Sequence, residues 1–210
     1  MPLSPPAPRE HLHTRRIVCE GFLRQDGLWD IEAYLLDTKT YAFTNHDRGT
    51  IAPGGPLHEM RLRLTLDDAM TVRAVEAVTE AGPYAVCGAI TPAFKALEGL
   101  TVGPGWRRRV QELLGGVKGC THLVELLGPM ATVAFQTIWS AKGREKRARS
   151  DGAKPPTDGR PARKPGYIDG CHALASDGLI VRDHHARWYT GPAAPSPSTP
   201  SSPADATKSR

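Results

Sequence analysis

Long apolar runs are missing from this chain: nowhere do about 18 consecutive apolar residues occur, the length a membrane-crossing helix needs. The opening stretch MPLSPPAPREHLHTRR likewise lacks the apolar core of a secretory signal. Both absences lead us to expect a chain with no membrane association, working in the cytoplasm. Cysteine is scarce, with four in 210 residues. That is too few for a disulfide scaffold, and in a reducing compartment such residues are more often buried, metal-bound or reactive. Aromatics make up 6%. The chain also has no CxxC, no HExxH and no zinc-finger spacing, so any metal site must be assembled by the fold from scattered residues.

What is present begins with charge. The formal net charge is +5, and the surplus is local: GREKRARSDGAKPPTDGRPARK, residues 143–164, carries most of it. This stretch is rich in proline and glycine and almost free of large apolar residues. It lacks the aromatic interleaving of single-strand nucleic-acid binders, which argues against nucleic acid and leaves a protein partner as its expected contact.

Residues 1–13, proline-rich, are expected to be a flexible arm. From there IVCEGFL and LWDIEAYLLDTKTYAF are rich in β-branched and aromatic residues, and Asp26-Gly27 between them predicts a two-residue hairpin turn. Trp29, Ile31, Ala33 and Leu35 share one face at period two, as do Met60, Leu62, Leu64 and Leu66. With MTVRAVEAVTEA as a further strand, the first half reads as a meander of about four antiparallel strands. The stretch TNHDRGTIAPGGP reads as a loop.

After Gly82-Pro83 the period becomes helical. Thr91-Pro92 predicts a short helix ended by Gly99, and WRRRVQELLGG a second with a glycine C-cap. A third is expected from Cys120-Thr121 to about Ser140, kinked or split at Gly128-Pro129 because proline lacks the N–H and clashes with the preceding turn. The fold class is therefore α+β: an antiparallel β-meander followed by about three helices packed on one face. The expected organisation is an α+β domain over residues 14–140 and a basic, disordered linker over 141–166. A segment over 167–190 docks back on the domain, and a low-complexity tail occupies 191–210.

Chemistry centres on Cys87 and Cys120, each at an expected helix start, where unpaired N–H groups favour thiolate. Thiolate binds soft metals and attacks electrophiles. His58 and His122 complete a candidate metal-ligand set with these two cysteines, and Cys171-His172 forms a second. The bland reading of each is a buried thiol, a cap or a surface histidine. A cysteine nucleophile at Cys120 with His122 as base is an alternative, as is a domain that binds a ligand or partner without catalysis.

GGPLHEMRLRLTL, a hairpin, Cys87 opening a helix, LEGLTVG and GCTHLVELLGPMATVAF together resemble the layout of NifU/IscU-type iron–sulfur scaffold proteins. The resemblance implies an IscU-like architecture, with His58, Cys87 and Cys120 at the family's three cysteine positions. His58 stands where that family has a thiolate, and Gly119 where it has a histidine. A mixed set of this kind implies zinc or an iron–sulfur centre as cofactor, in a carrier, accessory factor or metalloenzyme. A second resemblance covers most of residues 9–182, through REHLHTRRIVCEGFLRQDGLWDIEAYLLDTK, LHEMRLRLTLDD, GLTVGPGWRRRV, GGVKGCTHLVELLGP and DGCHAL. These are similar to a bacterial family defined as a domain of unknown function, number 2889, which implies no activity.

Overall fold

The alternation in the first half of the chain builds a four-stranded antiparallel sheet in the computed structural model, which describes residues 2–150 and 164–192. Its strands are β1 (His13–Leu23), β2 (Trp29–Lys39), β5 (Pro56–Leu66) and β6 (Val72–Ala81), in the spatial order β1-β2-β5-β6. Period two sends Trp29, Ile31, Ala33 and Leu35 of β2, and Met60, Leu62, Leu64 and Leu66 of β5, to one face, where all are buried. Each fully buried Leu, Ile or Met on that face contributes about 1.5–3 kcal/mol relative to exposure.

The connections differ from expectation in two places. The β1–β2 turn is wider than two residues: the Arg24 N–H donates to Leu28 O at 2.8 Å, Gly27 takes φ +84°, and the Asp26 carboxylate accepts the Leu28 N–H. The stretch expected as a loop contains a small hairpin of its own, β3 (Phe43–Asn45) and β4 (Gly49–Ile51).

Helices cover the apolar face. A run of 3-10 turns (Ala85–Leu97) packs beside β6 and buries Phe94 and Leu97. It starts earlier than the expected helix and takes Pro92 into its interior. The helix α1 (Trp106–Leu114) buries Trp106, Val110 and Leu114. Then α2 (Thr121–Ser150) lies across β1, β2 and β5, burying Leu123, Leu126, Leu127, Met130, Ala134 and Ile138.

Two expectations about α2 are corrected. It is not split at Gly128-Pro129 but runs through it as one helix, and two residues before the proline the Trp106 indole N–H donates to Leu127 O at 3.0 Å in the buried α1–α2 interface. It also runs to Ser150, so the first part of the expected linker is helical. The rest of that linker, 151–163, and the tail from 193 onward lie outside the described residues. No helix among the described residues is long and apolar enough to cross a membrane.

The chain divides into two units at Ala153/Lys154. In the second, α3 (Leu179–His184) follows a turn built on Asp169, at φ +63°, whose carboxylate accepts the Ser176 N–H at 2.7 Å. Ile168 and Val181 are its buried apolar residues.

Candidate metal centre

At one end of the sheet the apolar stripes give way to charge. Asp37 continues the Trp29–Leu35 face of β2, and His58 continues the Met60–Leu66 face of β5. The register pairs Arg15 with Asp37 across β1–β2, and Asp37 with His58 across β2–β5, so three polar residues form one row across three strands. A shift in the β2–β5 register falls beside this row, between Asp37/His58 and Thr38/Pro56, and leaves Leu57 unpaired. Bulges of this kind re-aim side chains next to sites.

Asp37 is 1% exposed, and His58 is buried as well. Arg15 grips the carboxylate with one edge of its guanidinium, Nε donating to Oδ1 at 2.8 Å and Nη2 to Oδ2 at 2.7 Å. His58 Nδ1 lies 2.9 Å from Oδ2, and His13 Nε2 lies 3.4 Å from Oδ1. A doubly held carboxylate has only acceptor capacity left for an imidazole N–H. Asp37 therefore fixes His58 with its proton on Nδ1 and its Nε2 free.

The helix α2 delivers the second imidazole. Cys120 is the residue before its first turn, its carbonyl accepting the Val124 N–H at 2.9 Å. His122 follows within that turn, and its ring lies against the His58 ring with centroids 3.7 Å apart and planes tilted by 31°. One turn further on, Glu125 pairs with the other arm of Arg15, tying the helix start to the strand row. One donor atom each from Asp37, His58 and His122 lies within 4.8 Å of the others. Donors on a common tetrahedral zinc ion, at bonds of about 2.0–2.3 Å, are about 3.3–3.8 Å apart, so side-chain movement has to close the set by up to about 1.5 Å.

The electrostatics favour the neutral form of both rings. Burial lowers the His58 pKa below the ordinary histidine value and His122 lowers it further, outweighing the Asp37 hydrogen bond. Burial and then the Arg15 charge do the same at His122. For Asp37, burial opposes ionisation, but the Arg15 and His58 bonds prevail and hold it below the usual carboxylate range. Neutral imidazole is the metal-binding form.

Of the residues singled out from sequence, His58 and His122 are brought into contact, and Cys120 stands at their edge. Its Sγ is 3.9 Å from His122 Nδ1 and 3.9 Å from Met60 Sδ. Cys87 is not with them. The chain leaves β6 through Gly82 and turns Cys87 back onto that glycine, where an added Cβ would meet the cysteine Cβ at 2.8 Å, beside Asp47 and Arg48. Cys171 is exposed in the second unit, and neither it nor His172 belongs to a cluster of metal-donor residues among the described residues. Arg15, Asp37 and Glu125 were not singled out. The trace of Asp37 is a carboxylate in phase with a buried apolar stripe.

Neither the curated proteins nor the solved structures contain a match to this chain. The likeness to iron–sulfur scaffolds thus stays one of sequence layout, and two of the three positions it points to, Cys87 and His58, are not gathered into one donor cluster. A family model does match, over residues 13–136, a span that opens with β1 and takes in Arg15, Asp37, His58, Cys120 and His122: the chain belongs to the family described as protein of unknown function, DUF2889.

Proposed function

We propose that this domain binds one divalent transition-metal ion, zinc in the first instance, through His58 and His122. In this reading Asp37 is the carboxylate that orients His58 and balances the charge, and Cys120 is the soft donor at the rim. The observation that carries the reading is the pair of touching imidazoles, one buried and one half-buried, one of them aimed by a carboxylate that Arg15 has already fixed. A carboxylate–histidine–metal relay has this arrangement. Packing alone gives no return for placing two ring nitrogens and a carboxylate in an apolar interior, where each costs free energy unless it is partnered.

The donor set decides among metals. Two imidazoles, a carboxylate and one thiol suit zinc or a neighbouring first-row ion, whereas an iron–sulfur cluster needs several thiolates in one place. With Cys87 elsewhere, Cys120 alone does not supply them. Two or three protein ligands also leave a coordination position open, the arrangement of a carrier or a catalytic site more than that of a closed structural one.

The test is elemental analysis of the full chain purified from zinc-supplemented cells. About one equivalent is expected in the wild type and in Cys87→Ser, and a loss in His58→Ala and His122→Ala. Metal-free wild type, or full content in both histidine variants, overturns the proposal. The 3.9 Å approach of Cys120 Sγ to His122 Nδ1 keeps a second reading in play, a thiol nucleophile with an imidazole base. Rapid alkylation of Cys120 in chelator-treated protein, abolished by His122→Ala, would favour that reading.

A further inference from the structure

The outer face of the sheet carries a ladder of ion pairs that is complete everywhere except on β1. Arg63 bridges Glu32 and Glu76 at 2.7 and 2.9 Å, Arg61 pairs with Glu80 at 2.9 Å, and the Tyr34 hydroxyl donates to Glu59 at 2.7 Å. On β1, Arg16 and Glu20 point to the same side and form no ion pair or side-chain hydrogen bond among the described residues. Glu20 is directly opposite Glu32, so its cross-strand neighbour has its own sign. Its row across the sheet, Glu20–Glu32–Arg63–Glu76, holds three carboxylates to one guanidinium.

The two edges of the sheet are also treated differently. The chain covers the start of β6 itself: the Val72 N–H donates to Leu100 O, the Gly99 N–H to Val72 O, each at 2.8 Å, and the Glu98 carboxylate accepts the Val75 N–H. On β1, by contrast, the bond on the side away from β2 is confined to the first residue, where His11 Nε2 lies 3.0 Å from His13 O; from Thr14 to Leu23 no backbone group is bonded on that side among the described residues. The strand has eleven residues, no proline and a regular register with β2, while Val18 is 50% and Phe22 44% exposed. Proteins that remain monomeric blunt an edge like this.

We propose that β1 pairs with β1 of a second copy of this chain, antiparallel about a two-fold axis at Val18, making one continuous sheet. That axis sets Arg16 of each copy opposite Glu20 of the other. Two ion pairs form, each extending the over-acidic row by the cation it lacks. It also sets Val18 against Val18 and Thr14 against Phe22, covering the exposed apolar side chains. Because the interface is self-complementary, it closes at two copies.

The experiment is sedimentation equilibrium of the full chain over a wide concentration range, with circular dichroism as the check on folding. The wild type should be a dimer. Arg16→Glu and Glu20→Arg should each weaken it by about tenfold or more, by setting like charges face to face twice over. The double variant Arg16→Glu/Glu20→Arg, which restores opposite charges with their places exchanged, should recover the dimer. Val18→Lys, placing two ammonium groups at the axis, should give a folded monomer. A wild type that stays monomeric, or is held only by a different protein, overturns the proposal. So do single variants that dimerise as well as the wild type, or a double variant no better than either single.

Discussion

Asp37 is the residue whose removal the buried row tolerates least. Its two oxygens are shared among Arg15, His58 and His13, and at 1% exposure water does not replace any of them. Asparagine has nearly the same shape but puts an NH2 where Arg15 or His58 needs an acceptor. Asp37→Asn should therefore cost about 2 kcal/mol, within the range for losing charge-assisted bonds and below that for a fully buried pair, since Arg15 keeps some contact with solvent. Urea unfolding of the metal-free protein measures this directly, and an unchanged midpoint would show that the row contributes nothing. In metal-loaded protein the same change should lower affinity about 10- to 100-fold, the usual effect of losing the group that orients a histidine ligand. The sequence reveals Asp37 only in hindsight. The alternation that marks Trp29, Ile31, Ala33 and Leu35 as core continues to it unbroken, but what sits opposite depends on the register with β1 and β5, which no local pattern states. His58 and His122 were legible as donors of one set; that Asp37 joins them and Cys87 does not was not legible. Cys87 shows the converse error, since a helix start can favour thiolate wherever the fold happens to place it.

At the scale of elements, the meeting of α2 with β1 fixes the geometry of the site. The helix comes so close to the strand at Gly21 that a Cβ there would lie 2.1 Å from Thr137 Oγ1 and 2.9 Å from Thr137 Cβ. Glycine is thus required by proximity and not by backbone conformation. Gly21→Ala should push α2 off the sheet and destabilise the domain by about 1–3 kcal/mol, the usual cost of overpacking. Because α2 also carries His122 and Glu125, metal content should fall with stability in this variant, although Gly21 touches no donor. A melting temperature equal to the wild type's would mean that the helix can shift freely. The strands β2 and β5 and the helix α1 were legible because one periodicity governs each from end to end, whereas β1 was read from its β-branched and aromatic residues and β6 from a less clean period. The reading of α2 found its start but failed at its middle and its C-terminal end, for a physical reason. Gly128-Pro129 looked like a break, but the apolar stripe from Leu123 to Ile138 holds the helix against the sheet across it. Beyond Ser140 the residues are too polar to show a stripe, and yet the helix continues to Ser150.

For the whole molecule, the proposed metal centre joins three strands of the sheet to the first turn of the longest helix, so binding there is coupled to the fold. Arg15, Asp37 and His58 come from β1, β2 and β5, and His122 from α2, elements separated by up to about a hundred positions in sequence. An unfolded chain does not hold these groups together, so an ion that binds them binds only the native state. Its contribution to stability then follows RT ln(1 + [L]/Kd), about 2.7 kcal/mol at one hundred times Kd. For a unit of about 150 residues each kcal/mol is worth about 2–4 °C, so zinc should raise the melting temperature of the stripped protein by about 5–10 °C. A chelator should reverse the shift. Cys87→Ser and Cys171→Ser should retain the full shift, His58→Ala and His122→Ala should lose it, and Cys120→Ser should reduce it in proportion to the weight its sulfur carries in the site. Charge reversal at Arg16 should leave it intact, because Arg16 lies on the outer face of β1 and Arg15, which holds Asp37, on the other. A shift that survives in both histidine variants would place the ion elsewhere in the molecule, and the touching imidazoles would then be a packing feature of the α2–sheet junction.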